Sequence, residues 1–300
     1  MGICEGRVVI VTGAGRGIGR AHALAFAAEG ARVEVNDLGV SPDGQGGSAG
    51  PADEVAAEIR AAGGQAVANT DDVADWDGAA RLVGTAVDTW GRLDVLVNNA
   101  GVLRDRMFVS ATTDEWDVVM RVHLRGHFCP TRHAVAHWRG RAKAGEAVAA
   151  RIINTSSGAG LQGSIGQSAY AVAKGGIASL TLVQAAELGR YGITANAIAP
   201  AARTRMTEDA FPEMMAKPAQ GFDTMDPANI SPLVVWLGSL DSEGVSGQVF
   251  EVAGGKIAVA EGWREGPASD LGRRWKPAEV GASVRELLDA ARPAQAVYGT

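Results

Sequence analysis

The sequence predicts an α/β fold: a single doubly wound domain with a seven-stranded parallel sheet and helices on both faces. Two observations predict it. Short runs rich in Val and Ile alternate with Ala-rich stretches of helical period, which is the pattern of right-handed β–α–β units. The Val- and Ile-rich runs are almost continuously apolar, as is typical of parallel strands that are covered on both faces.

The alternation indicates where each element lies. We predict strands at residues 7–12, 32–36, 65–69, 93–98, 151–155, 194–198 and 248–252. We predict helices at about residues 17–29, 51–62, 75–90, 114–138, 168–189 and 226–239. No linker or change of composition divides the pattern, so we expect one domain over residues 1–255.

Three segments depart from the alternation. Residues 38–51 form a loop rich in Gly, Ser and Pro that is longer than a strand–helix connection needs. Residues 201–225 are polar, Met-rich and interrupted by two prolines, and we expect a substrate lid there. Residues 256–300 lose the alternation but contain an amphipathic pattern at about 277–291. We expect this C-terminal extension to pack on the domain or on a partner subunit.

Composition and charge exclude several classes of protein. The net charge is −6 and no stripe of Lys and Arg is present, so we expect no nucleic-acid partner. Cys4 and Cys129 are too few for a disulfide framework, and their spacing suits no metal site. The sequence shows no secretory signal and no apolar run of membrane-spanning length. We therefore expect a cytoplasmic globular protein with no metal and no membrane partner.

The first predicted strand runs directly into the sequence GAGRGIG and then into an Ala-rich helix. Gly13, Gly17 and Gly19 permit a tight turn in which backbone N–H groups and the helix N-terminus face a pyrophosphate. Arg16 and Ile18 belong to the same loop. A plain Gly-rich turn is the alternative, but the position between the first strand and the first helix predicts a Rossmann-type dinucleotide site.

Asp37 ends the second predicted strand, about twenty residues beyond the glycine loop. A carboxylate there can accept hydrogen bonds from both ribose hydroxyls and would repel a 2′-phosphate, which favours NAD over NADP. Arg16 favours the opposite choice, because a cation in the loop can reach a 2′-phosphate. Asp37 as a simple turn residue before Gly39 is the other alternative.

The segment from Ser157 to Lys174 carries the candidate catalytic group. Tyr170 and Lys174 are four residues apart on a predicted helix, so their side chains project from one face. A lysine ammonium favours phenolate, so we expect Lys174 to lower the pKa of Tyr170 towards the working range. Ser157 follows a strand and would hold the substrate oxygen. Without the glycine loop, such a pair would more often be an ordinary surface pair.

These motifs occur together in an order that resembles the short-chain dehydrogenase/reductase family over roughly residues 5–255. The shared sequences are TGAGRGIG, Asp72-Val73 after the third strand, NNAG, and YAVAK with Ser157 thirteen residues before Tyr170. The resemblance implies that Asp72 and Val73 contact the adenine end, and that Lys174 and Tyr170 also contact the coenzyme. It further implies that the cleft is lined by Asn98, Asn99, Ala100, Gly101 and Pro200.

The sequence departs from the family pattern at two places. In MRVHLRGHF, His123 stands where the family often has an Asn that relays protons. His123 would hold a water or shuttle a proton near neutral pH, or it is a helix histidine bonded to backbone. The family's Pro-Gly after the sixth strand is here Pro200-Ala201, so we expect a different loop over the nicotinamide.

One branch of the family is the nearest likeness. VNDLG, MRVHLRGHF and IAPAARTRMT resemble the hydroxyacyl-CoA dehydrogenase part of peroxisomal multifunctional enzyme type 2 and its bacterial relatives. The resemblance implies NAD-dependent oxidation of a (3R)-3-hydroxyacyl-CoA, or of a hydroxysteroid. The alternatives are an NADPH-dependent 3-oxoacyl-carrier-protein reductase or another ketone reductase, and a non-catalytic dinucleotide-binding scaffold or sensor.

The same likeness implies partners. Arg203, Arg205 and Lys217 are candidates for attracting CoA phosphates, although ordinary solvated charges are the better explanation of them. A homodimer or homotetramer is implied, with the helices at 114–138 and 168–189 packing against other copies.

Overall fold

A computed structural model describes residues 2–39, 50–204, 215–293 and 295–299. Its sheet has the strand order β3-β2-β1-β4-β5-β6-β7-β8. The strands are β1 Val8–Thr12, β2 Arg32–Asn36, β3 Gln65–Asn69, β4 Val95–Asn98, β5 Ala150–Thr155, β6 Ile193–Ala201, β7 Val249–Ala253 and β8 Lys256–Val259. The seven expected parallel strands are confirmed. The eighth is a correction: β8 pairs antiparallel with β7 at the sheet edge, because a tight turn at Gly254 folds the chain back.

The helices cover both faces of the sheet, as predicted. They are α1 Gly17–Ala28, α2 Gly50–Ala61, α3 Trp76–Trp90, α4 Thr113–Met120, α5 Gly126–Lys143, α6 Gly158–Gln162, α7 Ser168–Leu188, α8 Ser231–Gly238 and α9 Pro277–Ala290. Short 3-10 turns lie at Phe108–Ser110, Gly189–Tyr191 and Pro227–Ile230. The last of these forms the start of the helix predicted at 226–239, because Pro227 and the Asp226 side chain open it as a tighter turn.

The helix predicted at 114–138 is not continuous. A π-helical turn, Arg121–Arg125, separates α4 from α5. Within it His123 is buried, and its ring contacts the backbone of Val102. Such π-turns are frequent at functional sites. Here the wider turn places a histidine in the interior beside the cleft.

Burial explains why the apolar runs form this sheet. Every residue of β1 is buried, and the two faces of the sheet support separate apolar layers. One layer contains Phe26 of α1, and the other contains Trp138 of α5, whose indole N–H donates to the Leu93 carbonyl. Within the described residues, no helix combines the length and the apolar character needed to cross a membrane.

The strand order reverses between β1 and β4, which are neighbours although two strands separate them in the sequence. The connections after these two strands leave in opposite directions and open a crevice at the carboxyl ends of the strands. Ligands of doubly wound sheets bind at such a switch point. The fold thus brings together the residues that follow β1, β4, β5 and β6.

Candidate active site

One cleft at the carboxyl ends of the strands contains the glycine loop and the candidate catalytic group. Its volume is about 1240 Å³, more than the roughly 300–1,000 Å³ of a typical small-molecule pocket. It therefore has room for a dinucleotide and a second molecule. The predicted residues that line it are Gly13, Arg16, Gly17, Ile18, Gly19, Asp37, Asp72, Val73, Asn99, Ala100, Gly101, His123, Ser157, Tyr170, Lys174 and Pro200.

The glycine loop is a tight turn that leaves no room for a side chain at Gly13 or Gly19. Gly13 has a φ of +63°, and a Cβ there would lie 2.8 Å from the Ala100 Cα. A Cβ on Gly19 would lie 2.2 Å from the Gly13 carbonyl oxygen. Helix α1 begins at Gly17, and no side chain caps its first turn. The free N–H groups and the positive end of the helix dipole suit a pyrophosphate.

Asp37 is held beside the glycine loop at the end of β2. Its Oδ2 accepts a hydrogen bond from the Gly15 N–H at 2.9 Å, and its Oδ1 accepts one from the Gly39 N–H at 2.8 Å. A carboxylate has about four lone-pair positions, so it can still accept hydroxyl groups. The two backbone donors thus fix the Asp37 carboxylate at the position where the sequence predicts that the ribose binds.

Asp72 and Val73, the two residues expected at the adenine end, both line the cleft. Asp72 accepts a hydrogen bond from the Ala74 N–H at 2.8 Å and pairs with the Arg121 guanidinium at 2.6 Å. Arg121 also lines the cleft. Sequence reasoning did not predict this ion pair, because its partners are 49 residues apart.

The two asparagines of NNAG have different positions. Asn99 lines the cleft and donates to the carbonyl oxygens of Thr12 and Gly13, which ties the end of β4 to the glycine loop. Asn98 was expected to line the cleft, but the structure places it elsewhere. Its side chain is buried behind the cleft, where it donates to Thr131 and Asn154, because successive strand residues point to opposite faces.

Ser157, Tyr170 and Lys174 lie together in the cleft. Ser157 caps the short helix α6, where its side chain accepts a hydrogen bond from the Ala159 N–H at 3.2 Å, and it lines the cleft together with Tyr170. Lys174 follows one turn after Tyr170 on α7, with its Nζ 5.6 Å from the Tyr170 ring centroid. The Lys174 Nζ donates to the Thr155 carbonyl oxygen at 2.7 Å. Helix α7 and the segment that follows β5 thus bring Ser157, Tyr170 and Lys174 together in the cleft.

The electrostatics of this group correct the sequence-based expectation. Burial raises the pKa of Tyr170 to about 12, although the Ser157 hydroxyl opposes the rise. Burial also lowers the pKa of Lys174 to about 7. The expected lowering of the Tyr170 pKa by Lys174 is therefore wrong for the protein alone, because burial favours the neutral form of both groups. Near neutral pH Tyr170 is a phenol.

His123 lies edge-on to Tyr170, with 5.4 Å between the ring centroids. Its shorter contact with Val102, 2.8 Å from Nε2 to the carbonyl oxygen, assigns the ring proton to Nε2. Burial holds the pKa of His123 well below its ordinary value, which favours the neutral ring, and the bond to Val102 agrees with the alternative of a helix histidine bonded to backbone. Its buried Nδ1 has no hydrogen-bond partner among the described residues. This nitrogen is therefore the atom of His123 that could hold the water expected from the sequence.

The expected lid, 201–225, is described in part, since residues 205–214 lie outside the described residues. Thr204 and Met215 line the cleft. Arg203 pairs with Asp223 at 2.8 Å, so this expected CoA contact already has a carboxylate partner. Lys217 is exposed, and Arg205 falls in the part that the structure does not describe.

Sequence reasoning missed several lining residues, among them Asp105, Gln167 and Tyr298. The Gln167 side chain donates to Asp105 Oδ2 at 2.9 Å, and both residues line the cleft next to Tyr170. Tyr298 reaches the cleft from the C-terminal extension. Asp105 and Gln167 carried one weak signal, their closeness to NNAG and YAVAK. Tyr298 carried none, because its place depends on the tertiary fold.

These residues fit a nicotinamide dinucleotide. The turn that excludes any Cβ at Gly13 and Gly19 leaves backbone N–H groups for the phosphates, and Asp37 presents a fixed carboxylate for a ribose. Lys174 and Tyr170 line the same cleft. The coenzyme would supply there the acceptor or donor of a hydride.

Comparisons with known proteins agree with this site. Residues 7–214 match the family model for short chain dehydrogenases. The chain is 43% identical to hydroxyacyl-CoA dehydrogenase ChsB1 of Mycobacterium tuberculosis over 99% of its own length and 93% of that protein. It is 47% identical to mouse (Mus musculus) peroxisomal multifunctional enzyme type 2, over 84% of its own length but only 32% of that longer protein.

A solved structure is similar over the whole chain. It is the crystal structure of a short chain dehydrogenase from Mycobacterium avium, with 61% sequence identity, a TM-score of 0.89 and full coverage of both chains. The family match, the fold and the site geometry lead to one conclusion. This chain is an oxidoreductase that belongs to the short-chain dehydrogenase/reductase family.

Proposed function

We propose that this enzyme oxidises a (3R)-3-hydroxyacyl-CoA to the 3-oxoacyl-CoA, with NAD as the hydride acceptor. The observation that carries the proposal is the presence of Ser157, Tyr170 and Lys174 in one cleft with the glycine loop and Asp37. The substrate class is supported by the name of the relative that the chain matches over nearly its whole length, a hydroxyacyl-CoA dehydrogenase.

The side chains divide the reaction between them. Ser157 holds the substrate hydroxyl oxygen by a hydrogen bond, and Tyr170, which lines the same cleft, exchanges the hydroxyl proton. Tyr170 acts in its phenolate form and accepts the O–H proton, and the C–O bond becomes a carbonyl as the same carbon loses its hydrogen with the electron pair. The bound coenzyme would supply the acceptor of that hydride. Lys174, held by the Thr155 carbonyl, would hold the coenzyme ribose.

Asp37 supports NAD as the coenzyme. Its carboxylate is fixed by two backbone N–H groups, so it cannot easily turn away from a 2′-phosphate, which it would repel. Arg16, the residue that favours NADP, is exposed and lies in water, where its attraction for a phosphate is screened.

A hydroxysteroid is the second candidate substrate. The substrate half of the cleft is lined by apolar side chains, among them Leu103, Val118, Ile165 and Met215. Such a surface packs equally well against a fatty acyl chain or a sterol ring system.

A substrate and coenzyme panel tests the proposal. NADH formation should be fastest with (3R)-3-hydroxyacyl-CoA and NAD, and slower with the (3S) isomer, hydroxysteroids or small alcohols. Preferred use of NADPH with 3-oxoacyl-carrier protein would instead show the reductase. Tight NADH binding without turnover of any alcohol would show a coenzyme-binding scaffold or sensor.

We also propose that the chain assembles as a homodimer or homotetramer through α4, α5 and α7, with residues 256–300 as an extension of the domain of residues 1–255. These helices expose large apolar side chains at Trp116, Phe128, Val172, Leu182 and Val183. Contiguous exposed apolar side chains mark association surfaces. Light scattering should give two or four times the chain mass, and a monomer at micromolar concentration would contradict the proposal.

A further inference from the structure

The C-terminal tail, residues 295–299, returns to the substrate half of the cleft. Tyr298 forms a backbone bridge with Ser164. The Tyr298 N–H donates to the Gly163 carbonyl oxygen at 3.2 Å, and the Ile165 N–H donates to the Tyr298 carbonyl oxygen at 3.0 Å. The tail is therefore fixed to the loop that joins α6 to the catalytic helix α7.

The ring of Tyr298 lies against Gly158, the neighbour of Ser157. A Cβ on Gly158 would lie 2.6 Å from the Tyr298 Oη and 2.8 Å from its Cε2. Tyr298 lines the cleft together with Ser164 and Ile165. It is still 47% exposed, so part of its side chain is free to contact a ligand.

The other edge of the same loop is held as well. The Arg106 N–H donates to the Gly166 carbonyl oxygen at 2.7 Å, and Gln167 donates to Asp105. The loop is thus clamped between the segment after NNAG and the C-terminal tail. A clamped loop gives Tyr298 a fixed position, and a fixed aromatic wall can distinguish ligands by size and shape.

We propose that Tyr298 is a specificity-determining residue, whose ring forms the wall against which the acyl portion of the substrate packs. The assignment rests on the proposed function, because it takes the ligand to be a hydroxyacyl thioester. Tyrosine suits the role, since its ring offers an apolar face and its hydroxyl offers one polar contact. The tail thereby selects among substrates, whereas the glycine loop and Lys174 hold the coenzyme, which is the same for every substrate.

Variants at Tyr298, tested across a series of 3-hydroxyacyl-CoA chain lengths, measure this selection. Tyr298→Ala should raise KM for long-chain substrates roughly tenfold while kcat for the shortest substrate and the Kd of NADH stay unchanged. Tyr298→Phe should remain close to wild type. Gln295→Ala, an exposed residue of the same tail, is the matched control and should change nothing. Equal KM values for Tyr298→Ala and wild type at every chain length would overturn the proposal.

A double-mutant cycle tests the contact itself. Gly158→Ala should displace the Tyr298 ring and raise KM for long-chain substrates, but it should add nothing in the Tyr298→Ala background. Additive effects would contradict the contact, and circular dichroism checks that each variant folds. If the wild type oxidises no 3-hydroxyacyl-CoA, the proposed function fails. The same variants are then compared on the alcohols that it does oxidise, where unchanged KM values would overturn the role of Tyr298 separately.

Discussion

The two halves of the cleft are built in different ways. The coenzyme half consists of short contiguous motifs at the ends of neighbouring strands, and backbone N–H groups hold it: Asp37 is fixed by Gly15 and Gly39. The substrate half is assembled from segments far apart in the sequence, where Asp105 meets Gln167 and Tyr298 meets Gly158. We infer that the coenzyme half determines which coenzyme is used. The substrate half determines which substrate is oxidised and how the rate depends on pH.

The largest expected effect comes from the phenol that joins the two halves. Tyr170→Phe removes the proton exchange and should lower kcat by about 10³-fold. The Kd of NADH should change by less than about twofold, because the coenzyme half stays intact. Steady-state NADH formation and fluorescence titration measure the two quantities. Retention of more than a tenth of wild-type kcat would show that another group exchanges the proton.

A change confined to the coenzyme half should alter coenzyme choice alone. Asp37→Asn removes the charge but keeps the size of the side chain, and should lower kcat/KM for NAD by roughly tenfold or more, since a hydrogen bond to a charged group contributes about 1.5–3 kcal/mol. The ratio of NADP to NAD use should rise. KM for the acyl substrate, measured at saturating coenzyme, should not move. A raised KM for the acyl substrate would contradict the inference that the two halves of the cleft act independently.

A change in the substrate half should alter the pH dependence. The Asp105 carboxylate raises the pKa of Tyr170, after burial, which is the larger cause. Oxidation needs Tyr170 to accept a proton, so its rate should rise with pH, and Asp105→Asn should move that rise to lower pH. The pH profile of kcat measures the shift. Asp88→Asn, an exposed residue of α3, is the control, and an equal shift there would indicate a general charge effect.

The smallest effect on catalysis is expected from a residue under the coenzyme half. Glu34 of β2 is fully buried, neither carboxyl oxygen has a hydrogen-bond partner among the described residues, and burial raises its pKa from 4.5 to about 9. The unfolded chain therefore loses this proton first. The free energy of unfolding should fall as pH rises from about 4.5 towards about 9, by up to about 1.4 kcal/mol per pH unit.

Urea unfolding of Glu34→Gln measures this contribution. The variant should show a flatter fall of stability across that pH range, with kcat unchanged. Glu54→Gln, at an exposed position of α2, should keep the wild-type slope. If Glu34→Gln kept it too, the carboxyl would not be the group that titrates.

The same contrast explains how much could be predicted from the sequence. The parallel strands, the glycine loop at Gly13 and the spacing of Tyr170 and Lys174 follow local periodicity, so the sequence predicts them. The edge strand β8 and the approach of Tyr298 depend on tertiary contacts. The pKa of Tyr170 was predicted in the wrong direction, because burial of a side chain cannot be read from its spacing to a lysine.

Deuterium transfer tests the central claim most directly. The substrate is a (3R)-3-hydroxyacyl-CoA with deuterium on the carbon that bears the hydroxyl, incubated with the wild-type enzyme and NAD. Mass spectrometry of the NADH should show one deuterium per molecule, since the hydride passes directly from that carbon within the cleft. NADH that forms without deuterium, or no NADH at all, would contradict the account.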